Sequence, residues 1–104
     1  MSINSLDEIF KMKQYPRLRI KILKDLNNNH KDNYAYKISK RLSTSYSNIY
    51  LEINNMLECG LIKISKESKN NNPHQKIRYY KLTNAGKDLA RLYLEIDKIY
   101  QNLL

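Results

Sequence analysis

The side chains able to make or break covalent bonds are few and scattered along this chain. Cys59 is the only cysteine, His30 and His74 stand apart, and neither a CxxC nor an HExxH spacing occurs, so no metal-ligand set is expected. No nucleophile elbow is present, nor a pair of carboxylates at helical spacing on an apolar wall. With 2 Gly in 104 residues there is little scope for a phosphate-cradling loop. The expectation is a chain that is not an enzyme and needs no cofactor. Cys59, at a helix end before Gly60, reads as a packed thiol and not as a redox switch. What remains is the chemistry of hydrogen bonds and charge. Ser45, Tyr46, Ser47, Asn48, Tyr50 and Asn54 gather hydroxyls and amides into one short stretch, groups that can pair with base edges and phosphates. Around them, 19 Lys+Arg against 10 Asp+Glu give a formal charge of +9, and a field of that sign favours polyanions.

These residues must be held by elements that the hydrophobic spacing predicts. Leu6, Ile9 and Phe10 make a short amphipathic helix over 4–14, capped by Asn4 or Ser5. Pro16 opens a second helix with a Leu18, Ile22, Leu23, Leu26 stripe. The Asn27–Asn33 run has no apolar residue and reads as a loop filled with asparagine. A third helix, Tyr34 to Leu42, has Asp32 or Asn33 as its cap; it buries Ala35, Ile38 and Leu42 and leaves Lys37, Lys40 and Arg41 for solvent. Ser43-Thr44-Ser45 is a polar turn capping a fourth helix, Tyr46 to Cys59. Its stripe of Ile49, Ile53, Met56 and Leu57 turns Tyr46, Ser47, Tyr50 and Asn54 outward, with Asn48 and Leu51 flanking, and Gly60 stops it. The period then changes to two over 61–66 and again over 76–82, which makes a hairpin around a polar tip, with Tyr80 as a core residue. Thr83-Asn84 caps a last helix toward Leu104, where Leu89, Leu92, Ile96, Ile99 and Leu103 fall close to a heptad seam. The fold class expected is mainly α with a small β-hairpin (α+β), in one domain spanning 1–104.

The order of helices, a three-residue turn and a hairpin is that of a winged helix-turn-helix. Leu42 to Ile62 resembles the recognition-helix region of the MarR and PadR regulators, which ends in a Leu-x-x-x-Gly-Leu-Ile/Val phrase matched here from Met56 to Ile62. Tyr80-Lys-Leu-Thr-Asn-Ala-Gly86 is similar to the Tyr-x-Leu-Thr-x-x-Gly phrase that closes the wing in PadR-like proteins. Tyr34-Ala-Tyr-Lys-Ile38 resembles their Gly-Tyr-x-Ile phrase loosely, with Ala35 in place of the glycine. The resemblance covers about residues 16–95. The short link between the two motif helices is closer to MarR, and the subfamily stays open. It implies a winged-helix core over 16–83 with its wing at 61–82, flanked by dimerisation helices over 4–14 and 84–104. It also implies a double-stranded DNA-binding repressor that dimerises through its terminal helices and sometimes binds a small aromatic effector.

Charge is distributed unevenly along this frame. Residues 43–59 hold Glu52 and Glu58 and no Lys or Arg, whereas residues 60–82 hold six cations against Glu67 alone. A division of labour follows: Ser45, Tyr46, Ser47, Asn48, Tyr50 and Asn54 read bases, while Lys37, Lys40, Arg41, Lys69, Asn71, His74, Lys76 and Arg78 hold phosphates. Leu6, Ile9 and Phe10 with Leu89, Leu92, Ile96, Ile99 and Leu103 would pair with a two-fold mate, a homodimer that sets its recognition helices about 34–36 Å apart. The alternatives are a winged-helix module for protein–protein assembly, and non-specific architectural or replication DNA binding. The first residues lack a basic stretch followed by an apolar one, so no signal peptide is read there. Apolar runs of two or three residues are far short of the ~20 that a membrane span needs. A cytoplasmic place in a prokaryotic cell is expected, and the Lys-, Asn-, Ile- and Tyr-rich composition suggests an AT-rich genome, whether the cell's own, a virus's or a plasmid's.

Overall fold

The computed structural model describes residues 17–69 and 76–103. Over these residues the chain is mainly helical with one antiparallel hairpin, an α+β arrangement. The order is α1 (Arg17–Asn28), α2 (Ala35–Leu42), α3 (Tyr46–Glu58), β1 (Ile62–Lys69), β2 (Lys76–Leu82) and α4 (Asn84–Leu103). The expected helix over 4–14 lies outside the described residues.

Each helix forms because its apolar residues repeat at 3.6-residue spacing and meet in one core. Ile22 and Leu23 of α1, Ile38 of α2, Ile49, Ile53 and Met56 of α3 and Ile62 of β1 are fully buried there. Tyr80, Leu82 and Ala90 close the cluster from the hairpin and α4. Ile20 is also buried, beside the stripe that the spacing marked.

The ends of the helices are set by local chemistry. Ser45 caps α3, its hydroxyl accepting the Asn48 N–H at 3.4 Å. Gly60 follows α3 at φ +74°, the left-handed position that ends a helix at little cost for glycine. The Leu61 N–H then reaches back to the Met56 carbonyl at 3.0 Å. Thr83 joins the hairpin to α4. Its hydroxyl accepts the Gly86 N–H at 3.1 Å and donates to the Gly60 carbonyl at 2.6 Å. That clamp draws α4 so close to the hairpin that a Cβ at Gly86 would be driven into the Leu61 carbonyl oxygen.

Two boundaries differ from those expected. α2 is not capped by Asp32 or Asn33: its N-cap is Tyr34, with no side-chain bond. Asp32 sits at φ 57°, and the Asn33 side chain is engaged elsewhere. Strand β1 runs to Lys69, beyond the expected 66, because Glu67, Ser68 and Lys69 pair with Arg78, Ile77 and Lys76. A bulge lies between Ile64 and Lys66, and past it no apolar residue of β1 marks the two-residue period.

Candidate functional site

The solvent face of α3 is the first element of the candidate site. With Ile49, Ile53 and Met56 buried, Tyr46, Ser47, Asn48, Tyr50 and Leu51 are exposed, as is the cap residue Ser45, and Asn54 is half-buried at the edge. Tyr46 and Tyr50, one turn apart, stack with centroids 6.0 Å from each other. They remain 50% and 44% exposed, and Leu51 beside them is 63% exposed, so the face offers aromatic and aliphatic surface as well as hydroxyls and amides. Its acids are less intrusive than the sequence suggests. Glu52 accepts a hydrogen bond from Arg19 Nε at 2.6 Å, which turns its charge toward α1.

Cations flank this face unequally. Lys37 and Lys40 on α2 are exposed, with the Lys40 ammonium 5.2 Å from the Tyr36 ring centroid. Lys76 is exposed at the start of β2, and Arg78 pairs across the hairpin with Glu67 at 3.3 Å. Lys69 ends β1, while Asn71 and His74 lie outside the described residues.

Arg41 is not left for solvent. Its guanidinium donates to both carboxylate oxygens of Asp25, at 2.6 Å from Nη2, and to Asn33 Oδ1 at 2.7 Å. It also reaches the Lys31 and Asp32 carbonyls, at 3.5 and 3.3 Å. The loop asparagines complete the network and are not filler. Asn29 Nδ2 donates to the Asp25 carbonyl at 2.8 Å, and Asn33 Nδ2 donates to the Asn29 carbonyl at 2.7 Å. The Tyr80 N–H donates to the Asn33 carbonyl at 2.8 Å, which ties this loop to β2. The signal for the network was a lone acid, Asp25, on the buried side of a basic helix.

Tyr80 is buried, as its alternation predicts. Burial holds its hydroxyl above the ordinary tyrosine range; the Arg78 charge works against this, and Tyr50, Tyr46 and Glu67 add to it. Cys59, expected as a packed thiol, is exposed. It is the C-cap of α3, one residue beyond Glu58 and three beyond buried Met56, so its side chain has left the core.

The last helix divides its apolar residues. Leu89 and Tyr93 pack on the core, Ile96 is half-buried, and Leu92, Ile99 and Leu103 are exposed. Leu6, Ile9 and Phe10 lie outside the described residues. No group of three or more His, Cys, Asp or Glu able to hold a metal occurs among the described residues. Among them, too, no helix is long and apolar enough to cross a membrane.

No family model, curated protein or solved structure matches this chain.

Proposed function

We propose that this chain is a winged helix-turn-helix regulator that binds double-stranded DNA through α3 and represses transcription as a homodimer, without catalysing a reaction. The observation that carries the reading is the α3 face: Tyr46, Ser47, Asn48 and Tyr50 stand exposed on a helix capped by Ser45, beside a cationic hairpin. In this reading the amides and hydroxyls contact base edges in the major groove. The free N–H groups at the start of α3 meet a phosphate, and Lys37, Lys40 and Lys76 neutralise the backbone on either side. Arg41 plays no part, since it is held by Asp25. The hairpin is the wing, and the family proposed is that of the PadR and MarR regulators.

The homodimer reading rests on α4. Leu92, Ile99 and Leu103 are exposed along one helix, and a second copy would cover them. A monomer by light scattering at micromolar concentration would remove this part and leave the α3 reading standing.

The experiment that tests the function is a titration against random duplex and against the chain's own upstream region, at two salt concentrations. Tight, salt-tolerant preference for one palindromic site is expected. Tyr50→Ala with Asn54→Ala should then reduce the preference by about 1–3 kcal/mol per lost base contact. Weak, steeply salt-dependent and sequence-blind binding would make the chain architectural. Absence of binding would transfer the α3 face, with Leu51 as its most exposed apolar residue, to a protein-assembly role.

A further inference from the structure

A concavity of about 800 Å³ lies between the α1–α2 loop, the hairpin and the first turn of α4. Lys31, Lys63, Lys66, Lys81 and Lys87 line it, and Asp32 supplies its one carboxylate. Side chains alternate across a strand, so Lys63 and Lys81, paired in the ladder, project from the face opposite Ile62, Tyr80 and Leu82. Tyr79, Tyr80 and Leu82 of β2 also line the concavity, and no residue of α3 does.

Six ion pairs occur among the described residues, and none includes any of these five lysines. Lys66 is steadied over the Tyr79 ring, 4.5 Å from its centroid, and Tyr34 packs edge-on against the same ring at 5.4 Å. The walls are fixed by the Tyr80–Asn33 backbone bond and by the Thr83 clamp. Like charges gathered in a recess with fixed walls focus a positive potential and raise the local concentration of anions.

We propose that this concavity binds a short chain of linked phosphates, either free or carried on a nucleoside. Five ammonium groups opposed by one carboxylate call for a ligand with several charges in a small volume. The volume lies within the range of small-ligand sites, whereas a duplex is a broad convex cylinder that does not enter it. Lysine without arginine suits phosphate, because the ammonium acts as a compact point charge and does not need the planar partner that a guanidinium fork matches. The site is independent of the α3 reading and stands whether or not α3 binds DNA.

The test is calorimetric titration of the intact protein with tripolyphosphate and, in parallel, with ATP, at near-physiological salt. One saturable site per chain is expected. Lys63→Gln/Lys81→Gln should weaken it at least tenfold, while Lys21→Gln/Lys98→Gln, which removes the same charge elsewhere, leaves it within twofold. Lys87→Gln, on α4 and outside the hairpin, should weaken it severalfold and serves as the second route if the hairpin double variant misfolds. Equal affinity for the two ligands assigns the free phosphate chain, and tighter ATP assigns the nucleoside form. Non-saturable uptake, or equal loss in both double variants, would reduce the effect to net charge and overturn the proposal. So would bound duplex that excludes tripolyphosphate one for one, with the hairpin variant losing both together, because the recess would then belong to a duplex interface.

Discussion

Arg41, in the last turn of α2, commits its guanidinium to Asp25, Asn33 and two loop carbonyls, whereas Lys63, Lys76 and Lys81 on the hairpin pair with no acid among the described residues. The two regions carry the same sign of charge and are close in sequence count, but only one of them can offer that charge to a partner. The side chains differ in burial: Asp25 is 7% exposed and Arg41 21%, in a loop that the asparagines close over. A buried carboxylate must be paired to exist as a charge, and a guanidinium fork meets it with two parallel hydrogen bonds. Lysines on an exposed hairpin meet no such demand. The net +9 already sets Asp25 against Arg41, so the pairing does not reduce it; what the pairing decides is where the unpaired cations stand, on the hairpin and on the outer side of α2.

The sharpest way to break this contrast is Asp25→Ala. It leaves the Arg41 guanidinium facing a buried gap, and removing one partner of a buried pair costs about 3–5 kcal/mol. Arg41 keeps Asn33 and the loop carbonyls, so the lower end, about 3 kcal/mol, is expected as a fall in the urea unfolding midpoint. A loss below about 1 kcal/mol would mean that Arg41 is no more committed than the lysines. In that case the distinction between the two regions fails.

Lys37→Gln/Lys76→Gln probes the opposite side. Both residues are exposed and outside every ion pair described, so unfolding should move by less than about 0.5 kcal/mol. If they neutralise phosphates as proposed, the slope of log affinity against log salt should fall by about 0.9 for each, near 2 in all. An unchanged slope with unchanged stability would show that these lysines only solvate the surface.

How much of this was legible from the residues depends on whether the deciding physics is local. The stripe Ile49, Ile53 and Met56 and the stop at Gly60 follow from period and backbone preference, and both are found. Buried Tyr80 followed from alternation. The Asp25–Arg41 pair spans sixteen residues and depends on how the loop folds between them, so no local pattern marks it. The length of β1 was hidden because Ser65 to Lys69 have no apolar residue, and their pairing is fixed by the partner strand. The basic recess is a product of register: Lys63 and Lys81 face each other only once the hairpin has closed.

The smallest effect concerns the acids of α3. Glu52 and Glu58 gave that helix a negative count, an awkward feature for a surface proposed to meet phosphates. Glu52, however, is half-buried and bonded to Arg19, so its charge is largely cancelled before any duplex arrives. Glu52→Gln should cost about 1 kcal/mol of stability, as for a partly exposed ion pair. It should also leave duplex affinity, read by fluorescence anisotropy, within about twofold. A free acid on that face would behave differently: its removal would lift a repulsion and tighten binding severalfold, more so at low salt. Exposed Glu58, at the far end of α3, supplies the internal comparison. If Glu52→Gln tightens binding as much as Glu58→Gln does, the Arg19 bond does not screen it, and α3 must reach its partner against its own charge.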